Sequence, residues 1–161
     1  MSVFKNQFSK ALQVLPSNDA NIPFPQVVTS GKSTDVVADS LVDSTKNFNE
    51  LKVAAGDIVY NKSDGSAATV IDVVDDTTIL LNADIFGDVD RDYILYAASS
   101  QTTIGNQGCN LYVGAAGSLH VQTLDGNVLI FDGVQAGSIL PVQVVKVYSG
   151  GTDADSIIAL W

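Results

Sequence analysis

The residues that build common active sites and cofactor sites are scarce in this sequence. Cys109 is the only cysteine, which excludes a disulfide within the chain and a zinc site made from several cysteines. His120 is the only histidine, so a relay between a histidine base and a nucleophile would depend on that one side chain. No serine lies in the Gly-x-Ser-x-Gly turn that presents a hydrolase nucleophile. This scarcity predicts a protein that is not an enzyme and that uses no cofactor.

Long apolar runs are also missing. No stretch of the sequence reaches the length of a transmembrane helix. Polar residues between Lys5 and Lys10 interrupt the N-terminal stretch, so it does not have the continuous apolar core of a signal peptide. We therefore expect the chain to be made and folded in a cytoplasm and to have no membrane partner.

Basic residues are few, and glutamate is nearly absent. The chain has 8 lysine and arginine residues against 18 acidic ones, which gives a formal net charge of −10. Because such a chain is repelled by phosphate groups, nucleic acid is an unfavourable partner. Every acidic residue except Glu50 is an aspartate, a residue that favours turns and caps, whereas glutamate favours helices. We therefore expect many short strands, with acidic residues where the chain reverses.

The first 20 residues form a segment of their own. Apolar side chains recur there at near-helical spacing, at Phe4, Phe8, Leu12 and Leu15. This spacing predicts a short amphipathic helix that ends at Pro16, followed by an extended linker that contains two further prolines. The helix could pack on its own domain, dock as an arm on a neighbouring subunit, or lie on a membrane surface.

From residue 26 onward, the pattern is typical of one strand after another. Strands are expected in the first half within residues 56–60, 67–73, 77–81 and 92–97, and in the second half within 110–114, 118–123, 127–131, 139–148 and 157–161. The fold class is therefore all-β, with two small β-barrel or β-sandwich modules and a short N-terminal helix or arm. The expected divisions are an arm and linker over residues 1–25, a first module over 26–99 and a second module over 100–161.

Two Asp-Gly pairs and one proline predict local features of the second module. Asp125-Gly126 and Asp132-Gly133 have the composition of hairpin turns, in which the glycine adopts a positive φ. Together they predict a tight meander of strands. Pro141 cannot donate a hydrogen bond to a neighbouring strand, so the start of the strand that contains it should lie at an edge or a bulge.

Alternate aspartates at Asp88, Asp90 and Asp92 are the only candidates for metal ligands. Carboxylate oxygens at this spacing can converge on Ca²⁺. The EF-hand pattern fails here, because the sixth position is Tyr93 rather than glycine and Arg91 offsets part of the negative charge. Acidic surface residues without a metal are therefore the expected reading, and a structural cation is the alternative.

A series of short motifs runs in a fixed order through the second half of the sequence. The motifs are Leu111-Tyr112-Val113-Gly114, Gly117-Ser118-Leu119, Asp125-Gly126, Gly133-Val134, Leu140-Pro141-Val142, Gly151-Thr152-Asp153-Ala154 and the terminal Ile157-Ile158-Ala159-Leu160-Trp161. This part, about the last third of the chain, resembles the small β-domain of tailed-phage virion proteins, including the head-spike base proteins of gene-transfer-agent particles. The first half is similar to modules of phage structural proteins. No functional residue is transferred, because such families have interfaces rather than active sites.

The resemblance implies a capsid decoration, or cement, protein that binds the major capsid protein on the outer surface of a phage head. It also implies a homo-oligomer, for which a trimer is favoured and a pentamer is the alternative. The net charge is unsuited to a lumen that faces DNA. The expected interface residues are Phe4, Phe8 and Leu12 for anchoring and Leu160 and Trp161 for subunit packing. A head fibre, spike or tail component that acts in host-surface adhesion is the alternative function.

Overall fold

A computed structural model describes residues 8–98 and 108–161 of the chain. These residues form twelve β-strands in two six-stranded sheets, and every strand pairing is antiparallel. The all-β class predicted from the aspartate content and the strand patterns is confirmed. In this part of the chain, no helix has both the length and the apolar character needed to span a membrane.

The first sheet contains six strands from the first half of the chain. They are β2 (Val27–Lys32), β3 (Ser40–Val42), β4 (Ile58–Asn61), β5 (Ser66–Asp75), β6 (Thr78–Leu81) and β7 (Asp92–Tyr96), arranged in the order β2-β7-β4-β5-β6-β3. Just beyond β2, Asp35 forms a bridge with Val42 in β3, so the two edges of the sheet approach each other. The sheet is therefore a partly closed barrel, and Phe48, Phe86 and Leu95 are among the residues that fill it.

The second sheet contains five strands from the second half and one from the N-terminal segment. They are β1 (Ala11–Gln13), β8 (Cys109–Ala115), β9 (Gly117–Thr123), β10 (Val128–Val134), β11 (Ser138–Val147) and β12 (Asp155–Leu160), arranged in the order β1-β12-β8-β11-β9-β10. The register of β11 shifts between Leu140 and Val144, which confirms the bulge predicted at Pro141. Leu111, Leu119 and Ile157 lie in the core of this sheet.

The predicted N-terminal helix is wrong over the described residues. Ala11–Gln13 form strand β1, in which Leu12 is paired with Ala159 of β12, and the N–H of Val14 donates to the carbonyl of Ile157 at 2.9 Å. An extended chain supplies hydrogen-bond partners to the open edge of β12, which a helix cannot do because its backbone groups pair internally. The part of the predicted helix before Phe8 lies outside the described residues.

The segment that follows β1 lies between the two sheets and bonds to both. The backbone N–H of Ser17 donates to the carbonyl of Val147 in β11, and its hydroxyl donates to the carbonyl of Ala67 in β5, each at 2.9 Å. The carbonyl of Asp19 accepts hydrogen bonds from Thr69 Oγ1 at 2.8 Å and from Asn82 Nδ2 at 2.7 Å. The N-terminal segment therefore joins the two sheets.

Replacing Ser17 with alanine is expected to lower the free energy of unfolding by about 1–2 kcal/mol. The change leaves the carbonyl of Ala67 and the N–H of Asp19, which both bond to the Ser17 hydroxyl, without that partner. Urea denaturation measures this loss. Ser30→Ala is the matched control, because Ser30 is exposed in β2 and its loss should change stability by less than about 0.5 kcal/mol. Equal stability of the two variants would show that Ser17 does not hold the sheets together.

The aspartates take up turn positions, as their abundance predicts. Asp64 Oδ1 accepts a hydrogen bond from the N–H of Ser66 at 3.0 Å, just before β5. Asp75 Oδ1 accepts from the N–H of Thr77 at 2.8 Å in the turn between β5 and β6. The hydrogen bonds from the backbone and the hydroxyl of Thr77 lower the pKa of Asp75.

One of the two predicted Asp-Gly turns is a bulge. Asp125-Gly126 connects β9 to β10, with Gly126 at a φ of 90°, and this predicted hairpin is confirmed. Asp132-Gly133 instead lies inside β10, where the register shifts between Phe131 and Val134 and Gly133 has a φ of 65°. A glycine at positive φ occurs in β-bulges as well as in hairpin turns, so an Asp-Gly pair alone does not distinguish a bulge from a turn.

Candidate interaction surfaces

Three of the predicted interface residues meet at one pocket of ≈340 Å³. Phe8, Leu160 and Trp161 come together there because β1 pairs with β12 and brings the two ends of the described chain side by side. We call this cavity the Trp161 pocket, and its walls also include Ser9, Lys10, Phe24, Cys109, Asn110 and Gln143. The pairing of the terminal strands therefore builds a concave, partly aromatic surface.

Trp161 is held firmly in the wall of this pocket. The backbone N–H of Trp161 donates to the carbonyl of Lys10 at 2.9 Å. The carbonyl of Trp161 accepts from the backbone N–H groups of Ser9 and Lys10 at 2.6 and 3.1 Å. The indole ring packs edge-on against the ring of Phe24, with 5.5 Å between the ring centroids. These contacts are within one chain, so the role of Trp161 and Leu160 in subunit packing stays a prediction.

The polar side chains of the pocket carry one ammonium, one hydroxyl and two amide groups. Lys10 Nζ lies 4.9 Å from the centroid of the Phe24 ring, a cation–π arrangement. Asn110 Nδ2 donates to the carbonyls of Leu140 and Val142 at 3.1 and 3.4 Å, beside the bulge of β11. Burial raises the pKa of Cys109 to about 12, so its Sγ remains a neutral thiol, bonded to the carbonyl of Val144 at 3.3 Å.

The remaining predicted anchoring residues do not join this pocket. Leu12 packs beside the buried cluster of Ala20, Ile58, Tyr60, Ala67 and Tyr96, between the N-terminal segment and the first sheet. Its side chain thus contributes to the joining of the two sheets. Phe4 lies outside the described residues. Anchoring by Phe8 and Leu12 to another protein stays a prediction.

The acidic loop before β7 forms ion pairs with its own neighbours. Asp88 Oδ2 lies 3.1 Å from a guanidinium nitrogen of Arg91, and Asp92 Oδ1 lies 3.7 Å from Lys32 Nζ. The N–H of Asp90, which has a φ of 58°, donates to the carbonyl of Ser33 at 2.8 Å. Over the ranges 8–98 and 108–161, no three acidic, histidine or cysteine side chains converge in a way that could hold a metal ion.

His120 and its neighbours form a cluster of polar side chains around β9. His120 Nδ1 lies 2.6 Å from the carbonyl oxygen of Gly150, and its ring stacks on Tyr148 with 4.5 Å between the ring centroids. Ser118 Oγ donates to Asp153 Oδ2 at 2.9 Å and not to the histidine. A relay between His120 and a serine needs a hydrogen bond between the two side chains, and Ser118 does not make one to His120. The absence of enzymatic activity stays a prediction.

Strand β10 is a candidate interaction surface that was not predicted from the sequence. It is the last strand of its sheet and, among the described residues, pairs with β9 alone. Val128, Leu129 and Ile130 are 53%, 37% and 50% exposed, so consecutive apolar side chains face solvent on both sides of the strand. The sequence signal for this surface is the unbroken apolar run from Val128 to Phe131. In a strand that buries one face and exposes the other, apolar and polar residues normally alternate.

Comparison of the chain with protein-family models, with curated proteins and with solved structures found no match.

Proposed function

We propose that this protein is a capsid decoration, or cement, protein of a tailed phage that binds the major capsid protein and stabilises the head. In this proposal it is made in the host cytoplasm and acts on the outer surface of the virion as a homo-oligomer, with a trimer favoured over a pentamer. The observation that carries the proposal is the edge strand β10, in which three consecutive apolar side chains are exposed.

The edge of β10 suits the addition of a strand from another protein. An unpaired strand edge presents a row of N–H and C=O groups, and proteins usually protect such edges with lysine, proline or short length. Residues 127–131 have neither charge nor proline, and the charge and the bulge of β10 lie toward its far end, at Asp132 and Gly133. An extended segment of a capsid subunit placed along this edge would gain main-chain hydrogen bonds and would cover apolar side chains on both faces. The exposed strand is therefore suited to a docking role.

The charge of the chain supports the outer surface as its location. A subunit with a net charge of −10 would be repelled by packaged DNA and gains nothing from the release of counterions. A single strand edge buries less area than a stable protein–protein interface usually needs. Several linked copies can compensate, because binding of one copy raises the effective concentration of the next. This favours an oligomer over a monomer on the head.

Ile130→Asp is expected to weaken binding to undecorated phage heads by about 10- to 100-fold. Ile130 is half exposed, and a carboxylate there would be desolvated without a partner when a strand covers β10. Co-sedimentation of the purified chain with undecorated heads measures the affinity, and the rupture temperature of the heads measures stabilisation. The unmodified chain should raise that temperature.

The matched control is Val74→Asp, which places the same charge on an equally exposed position, 58% open, in β5 of the other sheet. This variant should bind as the unmodified chain does. If Ile130→Asp folds and binds equally well, β10 is not the docking strand. If the unmodified chain binds no capsid surface, the decoration function itself is wrong.

A further inference from the structure

The Trp161 pocket has the composition of a small-molecule site. Its volume of ≈340 Å³ falls within the range of ligand pockets, about 300–1,000 Å³. Aromatic and aliphatic groups form one part of its wall, and amide, hydroxyl and ammonium groups form the other. None of the described side chains that line it is acidic, although the chain has 18 acidic residues. A ligand rich in hydroxyl groups would therefore meet apolar contacts and hydrogen-bonding groups together.

The walls of the pocket are fixed before any ligand arrives. The backbone of Trp161 is bonded to Ser9 and Lys10 on the adjacent chain, and its ring is packed on Phe24. Asn110 Nδ2 is bonded to two carbonyls of β11, which fixes the amide and leaves its Oδ1 to accept a hydrogen bond. Groups that are already ordered lose little conformational entropy when they bind, which strengthens the binding of a small ligand.

We propose that the Trp161 pocket binds a neutral pyranose sugar. A pyranose has a face of C–H groups, which suits an aromatic wall, and a rim of hydroxyls that both donate and accept hydrogen bonds. The pocket offers an acceptor at Asn110, a donor at Lys10, and both at the side-chain amide of Gln143. Gln143 is exposed, so its amide is accessible to a ligand.

The charge of the chain favours a neutral sugar over an acidic one. Lys10 is the one ionised side chain among the described residues that line the pocket, and it already lies over the Phe24 ring. The surrounding chain has a net charge of −10, whose field opposes the approach of an anion. The pocket and β10 share no residue, so a failure of sugar binding can be distinguished from a failure of docking along β10.

Titration of the full chain with the methyl glycosides of glucose, galactose, mannose and N-acetylglucosamine tests this proposal. Trp161 is the only tryptophan, so any change in tryptophan emission reports on the pocket itself. At least one glycoside should give a saturable change with a Kd near ~1 mM. Equilibrium dialysis with the same glycosides provides a measurement that does not depend on emission.

Variants of two lining residues connect the binding to the pocket. Gln143→Ala should weaken it by about 3- to 10-fold through a lost hydrogen bond, and Phe8→Ala should weaken it by about 10-fold through lost apolar contact. Gln26→Ala is the control, because Gln26 is exposed outside the pocket. The proposal is wrong if dialysis detects none of the four glycosides, or if both pocket variants bind like the control. Tighter binding of N-acetylneuraminic acid than of all four would overturn the preference for a neutral sugar.

Discussion

Replacing Asp43 with alanine is expected to lower the free energy of unfolding by about 3–5 kcal/mol. Asp43 is 0% exposed, and its Oδ2 accepts a hydrogen bond from the hydroxyl of Tyr93 at 2.7 Å. Its Oδ1 accepts from the N–H and the hydroxyl of Thr45 at 2.9 and 2.6 Å. Alanine would leave the buried Tyr93 hydroxyl without its partner, at a cost of about 1–3 kcal/mol, and would add a cavity and the loss of the Thr45 bonds.

Three further variants separate the hydrogen bond from the cavity. Asp43→Asn keeps the shape and one acceptor oxygen, so we expect a loss of about 1–2 kcal/mol. Tyr93→Phe removes the hydroxyl, and a double-mutant cycle with Asp43→Ala gives the coupling between the two side chains. Asp84→Ala is the control at an exposed aspartate, with an expected change below about 0.5 kcal/mol. A loss below about 1 kcal/mol for Asp43→Ala, measured by urea denaturation, would contradict this account.

Most of the longer strands could be predicted from the sequence because each buries one face. Leu119 and Val121 are buried, while His120 between them is only partly buried, and this alternation located β9. The edge strands β2 and β3 were missed. β3 has only three residues, and β2 includes Ser30 and Gly31, so neither carries a regular apolar pattern. The first sheet consequently has six strands, including these two, which were not predicted from the sequence.

Strand β1 shows why the N-terminal segment was misjudged. The spacing of Phe8, Leu12 and Leu15 is near-helical, yet Leu12 and Leu15 both pack toward the first sheet from an extended chain. The deciding contact is with β12, which lies at the other end of the sequence. A pattern within 20 residues contains no information about a partner strand so far away, so tertiary pairing overrode the local preference.

The residues of the Trp161 pocket were predicted only in part, because the pairing of distant strands brings them together. Phe8, Leu160 and Trp161 were singled out as apolar residues near the chain ends, and the structure places them around one pocket. Lys10 and Gln143 were not predicted to join them, because their meeting depends on the pairing of β1 with β12 and of β11 with β8.

Gly31 shows how packing explains a motif that resembles a binding loop. The sequence Gly31-Lys32-Ser33-Thr34 is similar to the end of a phosphate-binding loop, but Gly31 lies in β2. A Cβ atom at Gly31 would lie 2.6 Å from Asp43 Oδ2 and 3.1 Å from the Tyr93 hydroxyl. The glycine therefore allows β2 to cover the buried Asp43–Tyr93 pair, a structural role that the motif alone could not reveal.

The second large effect is expected at high pH, where the protein should lose on the order of 5 kcal/mol of stability between about pH 8 and pH 11. Burial raises the pKa of Tyr60, Tyr93 and Tyr96, and the hydrogen bond to Asp43 raises that of Tyr93 further. Burial also raises the pKa of Cys109 to about 12. Each of these groups is held neutral in the folded protein at a pH where the unfolded chain ionises it.

The direction of the effect follows from which state binds more protons. Each folded pKa lies above the unfolded value, which is 10.0 for tyrosine and 9.0 for cysteine, so the stabilisation is complete below about pH 8. As the pH rises, the unfolded chain releases protons that the folded chain retains. Stability then falls by about 1.4 kcal/mol per pH unit for each group. Urea denaturation at a series of pH values measures this slope.

Two tyrosine variants test whether buried hydroxyls cause the alkaline loss. Tyr93→Phe removes one titrating group, so its stability should fall less steeply above about pH 10, by about 1.4 kcal/mol per pH unit. Tyr112→Phe is the matched control, because it removes the same hydroxyl from a ring that is 37% exposed. Tyr60 and Tyr96 pack against Ala20 of the N-terminal segment that joins the two sheets, so their ionisation would destabilise the structure where the two sheets meet.

Trp161 emission reports the unfolding of the second sheet, while tyrosinate absorbance reports mainly the unfolding of the first sheet. If the two signals change together, the joining segment couples the sheets into one unfolding unit. An equal free energy of unfolding at about pH 8 and about pH 11 would contradict the burial of these tyrosine hydroxyls.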